Sequence, residues 1–198
     1  MKKMNYNKTD KVIDYINKQI VKSFVNMSIV ASFDELNTIN YIYEVYDKIW
    51  AVVKKSLLGL AIAQYQDFND EGESITELWL LDKMAQYDKV TKYRFDQEFL
   101  RKRDRFIESV IASDSKNDEI KKAKKYISRT IAQEVLTITK EATLQAYIDL
   151  GATQIIWHTQ DDTKVCPLCK SLDGKTFNID KIPTTHPNCR CWYEMVLL

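Results

Sequence analysis

The chain has 198 residues, enough for one medium domain or a helical body with a small appended module. Lysine and arginine number 29 against 28 aspartates and glutamates, so a net charge of +1 excludes a global basic field for nucleic acid and confines any DNA contact to a local patch. No apolar run reaches bilayer length, and Met1-Lys2-Lys3 leads into Asn and Asp rather than an apolar signal core, so the sequence indicates no membrane partner and synthesis in the cytosol.

All three prolines follow Val165, so everything before it can run as long helices. Thr9-Asp10 is placed to cap a first helix carrying Val12, Ile13, Ile16, Ile20 and Phe24 and ending near Ala31. Ser32-x-x-Glu35 has the form of a capping box opening a second helix with Ile39, Ile42, Tyr43, Tyr46, Trp50, Val53, Leu57 and Leu60 along one side. A polar turn at Asn69 to Glu73 precedes Ser74-x-x-Glu77, another capping box, for a short helix bearing Leu78, Leu81 and Met84. Asp88 to Thr91 is the next hinge, dividing an N-terminal helical body (1–88) from a C-terminal module (89–198).

Tyr93 to Ala112 is expected to be helical, with Phe95, Phe99, Phe106, Ile107 and Val110 on one side. Arg94, Arg101, Lys102, Arg103 and Arg105 on the other side interleave with Asp96, Glu98, Asp104 and Glu108, the composition of a solvated, ion-paired face. A long helix should follow from about Asp118 to Leu150, with Gly151 in the C′ position that ends it. Its start carries Lys121, Lys122, Lys124, Lys125 and Arg129, either a wet face or a patch for a phosphate backbone or acidic partner.

The tail concentrates the chemistry. Thr153 to Thr159 and Cys189 to Leu198 look like strands able to pair, with a turn at Asp173-Gly174 between them and Trp157, Phe177, Trp192 and Tyr193 over a small core. All four cysteines and one of the two histidines lie in Cys166-Pro167-Leu168-Cys169 and His186-Pro187-Asn188-Cys189-Arg190-Cys191. A Cys-x-x-Cys turn aims two thiolates at one ion, so Cys166, Cys169, His186, Cys189 and Cys191 are five candidates for the four corners of a structural zinc site. The preferred set is Cys166, Cys169, His186 and Cys189, with Cys191 as substitute. Paired disulfides are the rival, disfavoured in a reducing cytosol. A catalytic site is not expected: neither His-Glu-x-x-His nor a deaminase His-x-Glu is present, and Glu134, His158, Asp161 and Asp162 are the only plausible donors for a small metalloenzyme.

Trp157-x-Thr159-x-x-Asp162-x-x-Val165-Cys166-x-x-Cys169-x-x-Leu172-Asp173-Gly174-Lys175-x-Phe177, followed by Pro183 and His186-Pro187-Asn188-Cys189-Arg190-Cys191, resembles the signature of the phage head morphogenesis proteins, the Mu F-like minor head protein family. The resemblance reaches back to about Glu134, the one residue kept from the family's Arg-Thr-Glu segment; Thr184-Thr185 stands where relatives often have Pro-Leu. It implies a non-enzymatic minor capsid protein of a tailed bacteriophage virion, acting in head assembly with the portal or major capsid protein as partner and packaged DNA as a further contact. The expected fold is mainly α with a small zinc-clipped C-terminal β hairpin, an α+β arrangement whose knot spans 157–192. A zinc-stabilised nucleic-acid-binding module is the alternative.

Overall fold

The computed structural model describes residues 6–70, 72–89, 92–160 and 165–196. In it, α1 spans Tyr6–Ser23, α2 Glu35–Gln66, α3 Glu77–Ala85, α4 Phe95–Ala112 and α5 Lys116–Asp149. One hydrophobic core joins all five, crossing Asp88 without a break: Ile16 and Ile20 of α1, Tyr46 and Leu57 of α2, Leu80 of α3, Phe99 and Phe106 of α4, and Ile131 and Ile138 of α5 are buried in it. The fold is mainly α with small antiparallel sheets, as the sequence indicates.

The helix boundaries depart from expectation where local chemistry competes. α1 starts before Thr9, whose side chain is buried 3.3 Å from the Thr139 hydroxyl rather than capping. It stops at Ser23, and Val25–Ser32 forms a 3-10 helix instead of continuing to Ala31. The reason is visible in the burial: Phe24, Met27 and Val30 face the core at a repeat of three, the period of a 3-10 turn and not of an α-helix. Ser32 donates back to the Ile29 carbonyl, so Asp34 caps α2 by accepting from the Asn37 N–H at 2.8 Å. Thr76, not Ser74, caps α3, where Leu80 and Met84 are buried while Leu78 is exposed. The hinge after α3 is a short hairpin: β1 (Tyr87–Asp88) pairs with β2 (Tyr93–Arg94), so Tyr93 is strand and α4 begins at Phe95. The hairpin tip, Val90 and Thr91, lies outside the described residues.

Most of the cations on and just before α4 are tied up as their interleaving implies, Arg105 being exposed. Arg101 and Lys102 both pair with Glu98, and Arg94 with Asp96. α5 has two characters. Its first half buries Ile120, Ala123 and Ile127 on one side, but from Glu134 to Tyr147 nearly every side faces protein, including Leu136, Lys140, Thr143 and Tyr147. The buried hydroxyls there are satisfied locally, Thr139 donating to the Val135 carbonyl and Thr143 to that of Thr139. Gly151 ends the helix in a left-handed conformation (φ +82), donating to the Ile148 carbonyl while Ala152 donates to that of Tyr147.

This sharp stop sends the chain into β3 (Gln154–His158), the centre of a three-stranded antiparallel sheet ordered β4-β3-β5, with β4 at Thr176–Asn178 and β5 at Trp192–Met195. The expected β3–β5 pairing is present, with Trp157 opposite Tyr193, and β4 adds a strand where a turn alone was expected. Gly174 (φ +72) makes the turn into it.

Candidate metal centre

A short helix, α6 (Pro167–Leu172), sits between β3 and β4. Pro167 is preset for a first helical turn, and the Cys166 sulfur at the N-cap accepts from the Cys169 N–H at 3.3 Å. That bond points both sulfurs of the Cys-x-x-Cys turn to one side. Across from them, Asn188 takes a left-handed conformation (φ 60) that only a few residue types tolerate, and the Cys189 N–H folds back to the His186 carbonyl. This second turn delivers His186, Cys189 and Cys191 to the same place.

The five sequence candidates therefore converge, in two overlapping triads. Donor atoms of Cys166, Cys169 and His186 lie within 4.8 Å of one another, as do those of Cys169, Cys189 and Cys191. Cys169 belongs to both, its sulfur 3.1 Å from His186 Nε2 and 3.8 Å from the Cys189 sulfur. All four cysteines are free thiols, so the disulfide pairing has no counterpart in the structure. Metal–sulfur bonds of ~2.3 Å in a tetrahedron give sulfur–sulfur edges of ~3.8 Å, the Cys169–Cys189 separation. His186 Nδ1 donates to the Pro187 carbonyl at 2.9 Å, leaving the Nε2 lone pair toward the sulfurs, the orientation a ligating imidazole needs. The group could hold a metal ion.

The sequence reading missed what anchors this cluster. Lys140 of α5 is buried and hydrogen-bonds the Cys189 thiol, so a cation faces the sulfurs from the helical side. Hydrogen bonding from Cys191 and the charge of Lys140 lower the Cys189 pKa, while burial raises that of Cys169. Burial alone pulls the Lys140 pKa down, and its partner thiols oppose that shift. The Tyr6 hydroxyl donates to the Cys191 carbonyl at 2.8 Å, Arg190 pairs with Asp10 at 3.0 Å, and the Tyr147 hydroxyl donates to the Tyr193 carbonyl at 2.9 Å. The signal for part of this was in α5: Leu136, Lys140 and Tyr147, spaced four and seven apart, form a second apolar-edged face beyond the one the bundle needs.

The four tail aromatics divide between two sites. Trp157 and Tyr193 pack with the cysteines, Phe177 lies at their edge, and Trp192 joins Tyr6 and Leu136 in a separate cluster. His158 is a support and no ligand: its Nε2 lies 2.7 Å from Glu194 and its ring stacks on Trp192. Asp161 and Asp162 lie outside the described residues. Glu134 is buried on α5, in none of the metal-competent groups found among the described residues.

In the basic stripe, Lys121 pairs with Asp118 and Lys122 with Glu119 within one helical turn. Lys124 lies over the Phe24 ring, and Lys125 and Arg129 are exposed. No helix among the described residues is long and apolar enough to cross a membrane.

No curated protein and no solved structure matches the chain. A family model does: that of the phage Mu protein F like protein matches residues 100–194, from inside α4 to β5. The matched span holds α5, the sheet, all five candidate ligands and Lys140, so over residues 100–194 this chain is similar to the phage Mu protein F like family, in line with the head morphogenesis resemblance of its tail.

Proposed function

We propose that the protein is a minor capsid component of a tailed bacteriophage that joins the head during assembly, at or near the portal, and that it has no enzymatic role. The observation that carries this reading is the family match over the very elements that build the cysteine cluster and its seat on α5. Mass spectrometry of purified particles tests it: the chain should appear in virions at low copy relative to the major capsid protein and be retained with isolated portals. Its absence from virions and from assembly intermediates would overturn the proposal.

In this reading the cluster is a structural zinc site held by Cys166, Cys169, His186 and Cys189, with Cys191 in reserve. The converging donors, the imidazole orientation and a tetrahedral sulfur–sulfur edge support it. Zinc would supply a closed crosslink between α6 and the segment entering β5, and Lys140 would offset the excess negative charge of three thiolates on a divalent ion. Packaged DNA is the third proposed contact. Its support is narrower than the composition implies, because only Lys125 and Arg129 of the stripe are exposed without a side-chain ion pair or ring contact among the described residues. A salt-dependent shift of duplex DNA, weakened when Lys125 and Arg129 are both replaced by Ser, would support that contact. No shift at low salt would remove it.

A further inference from the structure

Between α5, the β1–β2 hairpin and the segment 179–185 lies a cleft of about 710 Å³, lined in part by Lys140 but by none of the five candidate metal donors. Its floor is Glu134, whose side chain is only 8% exposed and makes no hydrogen bond or ion pair among the described residues. A buried carboxyl left without a donor is costly, and most such groups are satisfied within the fold. Around it the lining is unbalanced. Asp88, Glu98, Glu141 and Asp180 share the walls with Lys83, Lys89 and Lys140, which with Glu134 makes five carboxyl groups against three amines; Lys83 is committed to Glu141 at 2.9 Å and Lys140 to Cys189. Tyr87 stands at the rim, 60% exposed.

We propose that this cleft receives the side chain of an arginine presented by a partner protein, with Glu134 as the carboxylate that meets the guanidinium. Three features select that occupant. The lining carries five carboxyl groups against three lysines, an excess of negative charge that favours a cation over a phosphate. Outside the two cysteine triads, no three donor side chains among the described residues come within 4.8 Å of one another, so the carboxylates are spread too widely for a small metal ion and suit a long, delocalised cation. The tyrosine wall offers ring faces on which a guanidinium stacks, as Arg101 already does 5.1 Å from the centre of the Tyr93 ring. Burial, with the neighbouring carboxylates of Asp88, Glu141 and Asp96, pushes Glu134 up to about 8, the response of a site lacking its cation.

The test uses the full chain and Nα-acetyl-arginine amide, with Nα-acetyl-citrulline amide as the uncharged control of the same length, at about pH 8.5 so that Glu134 is ionised. Backbone amide NMR should show saturable shifts around Asp88, Glu134 and Asp180 with the arginine probe and none with citrulline. Glu134→Gln should weaken arginine binding about tenfold or more. Should that variant fail to fold, Tyr87→Ala at the exposed rim decides, with an expected loss of about threefold. Equal binding of citrulline, unchanged affinity in the deciding variant, or no saturable shift up to about 0.1 M, where a millimolar site is full, would each overturn the proposal.

Discussion

In the helical body, α2 sets Ile42, Tyr46, Val53 and Leu57 against α4 and α5, and aromatic rings interlock there, Tyr46 lying 5.5 Å from Phe99 and 6.3 Å from Phe24. In the C-terminal sheet, the fully enclosed residues are Ile155, Trp157 and Tyr193 with three cysteines, and the strands are five residues long or fewer. The first region is one continuous apolar core drawn from five helices. The second has only a handful of enclosed apolar side chains, and small sheets of this kind need a crosslink or a neighbour. The structure provides for both: a cluster of donors able to take a metal, and a seat on Tyr6, Lys140 and Tyr147. A region can therefore be held in place by a body whose own stability does not depend on it.

The contrast can be broken most severely at its crosslink. Chelation, or Cys169→Ser in the residue shared by both donor triads, should release the segment after Gly151, because apparent metal-binding energies of this class run to about 10 kcal/mol. Limited proteolysis should then cut beyond Gly151 and leave the helices protected. Unchanged protease resistance in both treatments would show that the sheet folds without metal.

The reciprocal change lies in the body. Leu57→Ala, at a side chain with no exposure, should cost about 3 kcal/mol in denaturant unfolding while leaving one metal equivalent per chain. Loss of metal in step with stability would mean the two regions unfold as one.

Next in size is an effect of pH. Glu134 has a folded pKa raised to about 8 against an unfolded value near 4.5, so the folded state holds the extra proton. Its contribution is fully present below about pH 4.5 and is lost as pH rises through 8. Glu134→Gln should abolish that decline and be more stable than the parent above about pH 8, on the order of 2 kcal/mol. Parallel stability–pH curves for variant and parent would contradict this.

The smallest effect sharpens the docking. Tyr6→Phe removes the hydroxyl that donates to the Cys191 carbonyl and should cost about 1 kcal/mol, read as faster amide exchange in β5 with the core of α2 unchanged. Equal exchange rates would mean that Tyr6 holds the tail by packing alone.

Much of this molecule was legible where the cause is local. The periodicity of α2, α4 and α5, the Gly151 stop and the two cysteine turns each depend on residues near one another in the chain, while the β3–β5 pairing was read from strand-like runs at either end of the tail. Even the errors were local competitions: Asp34 over Ser32 and Thr76 over Ser74 as caps, and a three-residue repeat that turned 25–32 into a 3-10 helix. Lys140 drew no notice in the sequence and Glu134 stood there only as a metal-site donor and a family residue, because the sequence near them contains neither the thiols that meet Lys140 nor the hairpin that lines the cleft at Glu134. Their roles arise only when β5 and segment 179–185 fold back onto the second half of α5 and exclude water there. Spacing along one chain determines which groups can share a turn. Which charges lose their solvent is decided by surfaces far apart in sequence, and only tertiary packing brings those together.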